Sequence, residues 1–235
     1  MRRRLYLMRH GAVSYFDDDG RPVPEDDVPL TAEGREQVAA ARALLEGIEF
    51  DRVIVSGLPR TRETAELVAP GHEVDVWPEL REIKGAKLET IPEAELEEAF
   101  VRAWRGVVPE DKRFLGGESI GELFDRVIPA VDRLAADTAW DTALVVAHGG
   151  VNRAILSYAL TGARTLLGRF EQAAGCVNVL DVDSADPPEW IVRAVNVAPS
   201  DLVHRTTRLT TMEEYWARYR AAPSGSPDTA RTQRL

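Results

Sequence analysis

The chain has 235 residues and a formal net charge of −10, from 29 Lys and Arg residues against 39 Asp and Glu residues. This acidic balance argues against a general surface for nucleic acid or for an anionic membrane. Hydrophobic residues make up 44% of the chain, and no apolar stretch reaches the roughly 18 residues of a membrane span. We therefore expect a cytoplasmic protein with neither nucleic-acid nor membrane partners.

Short apolar segments alternate with amphipathic segments along the first two thirds of the chain. Strands are predicted at Leu5–Met8, Arg52–Ser56 and Ala143–His148. Helices are predicted over 31–47, with Thr31 as N-cap, over 58–69, with Pro59 in the first turn, and directly after His148. Short apolar strands separated by amphipathic helices indicate a mostly parallel sheet that is covered on both faces.

The later part of the chain adds a long helix and a hairpin. Apolar residues fall on one stripe between Glu118 and Asp137, and Ser119 with Glu122 has the spacing of a capping box. Two β-like segments, 176–182 and 189–197, are joined by a polar turn, which predicts a hairpin and at least one antiparallel strand.

These patterns predict the fold class and the domain organisation. We expect a three-layer α/β/α sandwich with a mostly parallel sheet, one antiparallel strand and a helical lid insertion at 84–115. Nothing in the composition divides the chain, so residues 1–220 are expected to form a single domain. Residues 221–235 are small, polar and proline-containing, which favours a flexible tail.

Charged and titratable residues stand at the carboxyl ends of the three predicted strands, directly after apolar residues that are expected to be buried. The first strand runs into Arg9-His10-Gly11, the second ends at Ser56 with Arg60 close behind, and the third ends in His148-Gly149-Gly150. Ligands of parallel α/β sheets bind at the carboxyl ends of the strands. Two arginines, two histidines and helix N-termini would then surround one point, and this set suits a compact anion such as phosphate.

This constellation resembles the histidine phosphatase superfamily, also called the phosphoglycerate-mutase-like family. The resemblance spans roughly residues 5–160 and is carried by five elements in the family's order. These elements are Arg9-His10-Gly11, the set Ser56, Arg60, Thr64 and Ala65, then Leu80-Arg81-Glu82, then Gly116-Gly117-Glu118-Ser119, and finally His148-Gly149-Gly150.

The resemblance implies an enzyme with three catalytic residues. His10 would be the nucleophile and would form a phosphohistidine, for which neutral imidazole is suited near pH 7. Glu82 would protonate the leaving oxygen and later help water to attack the phosphohistidine. His148 would stabilise the transferring phosphoryl group.

The resemblance also implies the phosphate-binding set and the lack of a metal. Arg9, Arg60 and His148 would hold the phosphoryl oxygens, and Gly149 adds the start of a helix. These cations make a metal unnecessary, and we predict neither a metal nor a cofactor. The acidic run Asp17–Asp19 has no nearby His or Cys and suits a metal poorly. Cys176 is the only cysteine, which excludes an intramolecular disulfide.

Two segments depart from the pattern of the mutases, namely 12–20 after the first motif and 83–90 after Glu82. Both lie where substrate would be recognised, so the substrate is predicted only as a small phosphorylated metabolite. The preferred function is hydrolysis of a phosphomonoester. The alternatives are a cofactor-dependent phosphoglycerate mutase and an inactive phosphate-binding or scaffold protein. The basic residues of the lid are matched by acidic ones, which does not favour a bisphosphate. A homodimer stays among the possible assemblies.

Overall fold

A computed structural model describes residues 2–15, 23–185, 187–203, 205 and 208–221. The acidic run Asp17–Asp19 and the predicted tail beyond residue 221 lie outside these residues. The described strands are β1 (Arg3–Arg9), β2 (Arg52–Val55), β3 (Val74–Val76), β4 (Val107–Val108), β5 (Thr142–Ala147), β6 (Leu166–Leu167), β7 (Val177–Val182) and β8 (Trp190–Val197). The described α-helices are α1 (Ala32–Leu44), α2 (Pro59–Val68), α3 (Glu93–Val101), α4 (Ile120–Ala136), α5 (Gly149–Thr161) and α6 (Thr211–Ala221).

Six strands form one sheet in the order β3-β2-β5-β1-β7-β8. The first four are parallel, β7 is antiparallel to β1, and β8 pairs with β7 in turn. The register sets Met8 beside Val146 and Val55 beside the same Val146. The carboxyl ends of β1, β2 and β5 therefore lie at one level of one edge, which confirms the predicted convergence.

Helices cover both faces of the sheet, as the three-layer prediction required. Alternate residues of β1 point to opposite faces, so Leu5 and Leu7 pack under α4 and α5 while Met8 packs under α1 and α2. Each of these side chains is almost fully buried. Because both faces are buried, β2 and β5 are apolar after their first residue, and Ser56 and His148 follow where these strands end.

Local sequence signals account for the starts of α1 and α4. The Thr31 side chain accepts a hydrogen bond from the Gly34 amide at 3.0 Å and caps α1. Ser119 and Glu122 form the predicted capping box at the start of α4. The predicted hairpin is confirmed as β7 and β8, whereas the short strands β3, β4 and β6 were not predicted.

The inserted segment 84–115 contains α3, as the helical lid prediction expected, and also β4, which pairs with β6. It meets α6 in a third apolar cluster, apart from the two cores of the sheet. Phe100 of α3 lies 5.7 Å from the ring of Trp216 and 6.0 Å from the ring of Tyr219, both in α6. We call α3, α6 and the loop 81–87 the roof. The domain limits 1–220 stay a prediction.

None of the helices within the described residues has the length and apolar character that crossing a membrane requires.

Candidate active site

The sheet edge gathers the residues that the sequence singled out. Arg9 ends β1 and His10 follows it, while His148 follows β5 and is the N-cap of α5. Arg60 is the second residue of α2, which begins just beyond β2. The rings of His10 and His148 meet edge to face, with their centroids 5.0 Å apart.

The His10 ring has one nitrogen engaged. Its side chain and backbone together are only 2% exposed, and Nδ1 lies 2.7 Å from the carbonyl oxygen of Gly11. Since a carbonyl oxygen can only accept, Nδ1 carries the proton and donates, which leaves the lone pair of the neutral ring on Nε2. Burial, reinforced by the charges of Arg60 and Arg9, holds the pKa of His10 well below its usual value. Neutral imidazole is therefore the resting form.

Gly11 has a steric reason to follow His10. A Cβ at Gly11 would lie 2.5 Å from the carbonyl oxygen of Gly34 in α1, and a Cβ at Gly34 would lie 2.2 Å from the carbonyl oxygen of Ala12. These distances are too short for any side chain. The turn after His10 therefore packs directly against the backbone of α1, and this close approach requires glycine at both positions.

His148 is completely buried and is held through Ser56. Its Nε2 lies 2.8 Å from the Ser56 hydroxyl oxygen, which is also 3.1 Å from the hydroxyl of Thr61. Burial, with the nearby charges of Arg60 and Arg9, keeps the pKa of His148 well below its usual value.

Both candidate arginines are buried and anchored by their outer nitrogens. Arg9 donates from Nη1 to the carbonyl of Gln172 and, at 3.1 Å, to the hydroxyl of Thr211. Arg60 donates from Nη1 to the carbonyl of Glu25 at 2.6 Å. Each arginine is at most 5% exposed. These bonds use oxygen atoms of the protein that carry no full charge, so the positive charge of both guanidinium groups stays available to a ligand.

Three buried nitrogen atoms of this edge have no hydrogen-bond partner. Among the described residues, five buried side-chain polar atoms are unpaired, and three of them are Arg9 Nε, Arg60 Nε and His148 Nδ1. Leaving a buried polar group unpaired costs about 1–3 kcal/mol each, and more for charged groups. An anion that accepted from all three would remove this cost. These three atoms are the strongest physical indication of an anion-binding site.

Glu82 reaches the same edge from the roof. Its Oε1 accepts from the amides of Ile83 and Gly150, each at 3.0 Å, and its Oε2 lies 3.2 Å from the Gly150 amide. Gly150 lies in the first turn of α5, where free amides and the helix dipole favour a carboxylate. A Cβ at Gly150 would lie 2.7 Å from Oε1, so a side chain there would displace the carboxylate.

Gly149 borders the arginine side of the site. A Cβ at this position would lie 3.2 Å from Arg153 Nη1 and 3.6 Å from Arg9 Nε. Arg153 is itself buried and forms an ion pair with Glu171 at 3.5 Å. The structure therefore brings together every candidate that the sequence named, namely Arg9, His10, Arg60, Glu82, His148 and Gly149.

Helix α6 contributes to the site, and sequence reasoning missed it. Thr211 accepts from Arg9 and donates at 2.9 Å to Glu171, while the ring of Tyr215 meets the ring of Tyr15 edge to face at 5.5 Å. A signal for α6 was present, since Thr210 and Glu213 have the spacing of a capping box. Both hydrogen bonds of that box form, at 2.7 and 3.3 Å.

Within the described residues, no group of three or more His, Cys, Asp or Glu side chains is placed to hold a metal ion. The positive charge of the site comes from Arg9 and Arg60. Taken together, the fold and the site define a protein that binds a compact anion at the carboxyl edge of a parallel sheet, next to a neutral histidine and a carboxylate.

Comparisons with known proteins identify the family. The chain matches the model of the histidine phosphatase superfamily (branch 1) over residues 5–197. It is 31% identical over 188 residues to the adenosylcobalamin/α-ribazole phosphatase of Salmonella typhimurium, covering 76% of this chain and 90% of that protein. It is 32% identical over 151 residues to a probable phosphoglycerate mutase of Salmonella paratyphi A, covering 62% of this chain and 69% of that one.

A solved structure gives the same result. The structure of a mycobacterial glucosyl-3-phosphoglycerate phosphatase superposes with a TM-score of 0.65 at 25% identity, covering 83% of this chain and 99% of that one. The chain belongs to the histidine phosphatase superfamily. The family match ends at residue 197, so α6 and its contact with Arg9 lie beyond it.

Proposed function

We propose that this protein hydrolyses a small phosphomonoester through a phosphohistidine on Nε2 of His10. The observation that carries the proposal is the set of three unpaired buried nitrogen atoms beside the free nitrogen of a neutral histidine. The two guanidinium N–H groups among them can bind the phosphoryl oxygens while the histidine nitrogen attacks phosphorus. The family membership supports the same chemistry, and two of the similar proteins above are named as phosphatases.

In the first step, Nε2 of His10 forms a bond to phosphorus as the bond from phosphorus to the leaving oxygen breaks. Arg9 and Arg60 compensate the charge that shifts onto the phosphoryl oxygens and the leaving oxygen. Glu82 gives its proton to the leaving oxygen, so the product is a neutral alcohol. Because Oε1 of Glu82 already accepts from two amides, Oε2 is the atom that carries this proton.

In the second step, a water molecule attacks phosphorus and the bond to Nε2 breaks. Glu82, now a carboxylate, takes a proton from that water, and inorganic phosphate is formed. Throughout both steps Nδ1 of His10 keeps its proton and its bond to Gly11. The bond fixes the ring so that the same nitrogen receives and releases the phosphoryl group.

His148 assists as a neutral donor. The Thr61 hydroxyl donates to the Leu58 carbonyl, so the single Ser56 hydrogen goes either to Thr61 at 3.1 Å or to Nε2 of His148 at the shorter distance of 2.8 Å. We assign it to Nε2, which places the proton of the neutral ring on Nδ1, the atom without a partner. Nδ1 then donates to a phosphoryl oxygen. Burial favours this uncharged form, since the nearby arginines already supply the positive charge.

The mutase alternative needs further cations for a bisphosphate, and the surroundings of the site do not favour it. In the inserted segment 84–115, Arg102 forms an ion pair with Glu98 at 3.1 Å, and Arg113 is held by Glu122 at 3.3 Å. Glu25 lies close enough for the charge of Arg60 to act on it, and its burial raises its pKa. An acidic side chain beside Arg60 opposes a second phosphate group.

The test is a panel of phosphomonoesters, assayed for release of inorganic phosphate with and without EDTA. We expect metal-independent turnover of several small monoesters and no isomerisation of phosphoglycerate in the presence of its bisphosphate. Isomerisation that exceeds phosphate release would establish the mutase alternative. Binding of phosphate with no turnover of any monoester would establish the inactive binding protein.

A further inference from the structure

The loop that carries Glu82 has no regular secondary structure, so its backbone groups need partners from elsewhere. Arg126 of α4 supplies partners for two carbonyls of this loop and for one in the short 3-10 turn Pro78–Leu80 that precedes it. Its Nη1 donates to the carbonyls of Glu79 at 2.6 Å and of Arg81 at 2.7 Å, and its Nη2 donates to the carbonyl of Glu82 at 3.3 Å. One guanidinium group thus binds two carbonyls that precede Glu82 in the chain and the carbonyl of Glu82 itself.

Glu118, from the Gly-Gly-Glu-Ser element, completes the support. It forms a bidentate ion pair with Arg126, with distances of 2.7 Å from Nε to Oε1 and 2.9 Å from Nη2 to Oε2. Its Oε2 also accepts from the Lys84 amide at 3.1 Å, and its own amide donates to the Lys84 carbonyl at 2.8 Å. A Cβ at Gly117 would lie 2.2 Å from that carbonyl, so the two segments approach as closely as backbone can.

We propose that Arg126 and Glu118 are positioning residues for the general acid Glu82. Arg126 binds the carbonyls before and at Glu82, and Glu118 binds the amide two residues after it, so the backbone is fixed from both sides. The carboxylate can then reach the Gly150 amide with only its own side-chain torsions free. This inference rests on the proposed function, because the position of the loop affects the reaction only if Glu82 protonates the leaving oxygen.

Arginine is required here because the side chain must form five hydrogen bonds from one planar group. Three carbonyls and two carboxylate oxygens are bound by one planar group, which lysine with its three donors on one atom cannot reproduce. A displacement of an acid by about 1 Å can cost on the order of 100-fold in rate. The value of kcat/KM should fall for a substrate whose leaving oxygen needs a proton and should change little for a substrate whose leaving group does not.

The experiment compares Arg126→Met and the milder Glu118→Gln with wild type on two substrates. On an alkyl phosphate we expect kcat/KM to fall about 10–100-fold in Arg126→Met, and by a smaller factor in Glu118→Gln. On para-nitrophenyl phosphate the loss should be less than about threefold, because nitrophenolate leaves without a proton. In a Glu82→Gln background, Arg126→Met should then change the alkyl phosphate rate less than about twofold.

Arg133→Met is the matched control, since Arg133 lies on the same helix and bonds the Glu79 side chain rather than the backbone of the loop. It should leave both substrates unchanged. Equal losses on the two substrates in both Arg126→Met and Glu118→Gln, or losses that add to those of Glu82→Gln, would overturn the positioning role. If Glu82→Gln itself loses both substrates equally, the acid assignment of the proposed function is wrong, and this inference is overturned with it.

Discussion

The strand edge and the roof form the two halves of the candidate site, and they are built in different ways. At the strand edge, His10 and His148 are buried directly after the ends of β1 and β5, and the parallel register sets their separation. In the roof, the loop 81–87 is held by hydrogen bonds from the Arg126 side chain to its carbonyls, and α6 is held by the bond from the Arg9 side chain to the Thr211 hydroxyl. The first half is positioned by the sheet, the second by individual contacts.

This difference indicates that the strand edge and the roof have different roles in the reaction. The strand edge holds the nucleophile and the phosphate-binding cations, which any phosphomonoester needs. The roof holds Glu82, whose value depends on the leaving group, and α6, which lies beyond the family match. Changes at the strand edge should therefore affect all substrates, and changes around Glu82 should affect them selectively.

The largest effect is expected at the strand edge, in His10→Ala. We expect no detectable turnover of any phosphomonoester, because Nε2 of His10 is the attacking atom of the proposed mechanism, whereas Nδ1 of His148 donates to a phosphoryl oxygen and has no lone pair for attack. The free energy of unfolding should change by less than about 1–2 kcal/mol, since one small side chain is lost at the edge of the core. Turnover assays and urea unfolding would measure the two quantities. Activity near the wild-type level would remove His10 from the nucleophile role.

Glu82→Gln should have the next largest effect and should distinguish the two halves. General acid catalysis contributes about 10²–10⁴-fold, so kcat/KM for an alkyl phosphate should fall within that range. For para-nitrophenyl phosphate the loss should be much smaller. The ratio kcat/KM is the quantity to compare, because it excludes the later hydrolysis of the phosphohistidine. Equal losses for both substrates would assign the acid role to another residue.

The buried histidines make the free energy of unfolding depend on pH. Their pKa is lowered in the folded state, so below the unfolded value of about 6.5 the unfolded chain binds protons that the folded chain does not. Stability is fully present above that pH and falls as the pH drops towards the folded pKa, by up to about 1.4 kcal/mol per pH unit for each histidine.

Urea unfolding of wild type and of His10→Gln between pH 7.5 and pH 5 would measure this dependence. We expect a shallower loss of stability on acidification in His10→Gln, because one of the two titrating groups is gone. Parallel curves for the two proteins would contradict the buried neutral state of His10.

A smaller effect, without selectivity for the leaving group, is expected where α6 meets Arg9. Thr211→Val keeps the shape of the side chain and removes its bonds to Arg9 and Glu171. Hydrogen bonds to charged groups are worth about 1.5–3 kcal/mol, but Arg9 keeps its bond to Gln172. We therefore expect kcat/KM to fall only about 5–10-fold, and equally for both kinds of substrate.

Tyr219→Phe is the control for α6, because Tyr219 stacks on Phe100 and its ring survives the substitution. It should leave kcat/KM unchanged. A loss in Thr211→Val that appears only for alkyl phosphates would mean that α6 acts through Glu82 rather than through Arg9.

The same difference explains what the sequence could predict. Arg9, His10 and His148 were predictable because an apolar strand that ends in charged residues, in a parallel fold, has its ligand site at that end. The three-layer fold and the β7–β8 hairpin followed from hydrophobic periodicity in the same way. These features depend on short stretches of chain and on one rule about sheets.

The roof could not be predicted to the same extent. The bond between Arg9 and Thr211 joins residues 202 positions apart, and the bonds from Arg126 to the Glu82 loop span 44 to 47 positions. No local pattern indicates such partners, since many arginines in the chain could serve. The capping box at Thr210 predicts that α6 is a helix, and only tertiary packing places it over the site.

Trapping the phosphoenzyme is the most direct test of a phosphohistidine on Nε2 of His10. Rapid quenching with a ³²P-labelled substrate should give label that is stable in base and lost in acid, on the peptide containing His10. Since Nδ1 donates to Gly11, NMR of the phosphopeptide should place phosphorus on Nε2. His10→Ala should take up no label. Phosphorus on Nδ1, label on another residue, or rapid turnover with no trapped label under any quench condition would contradict the account.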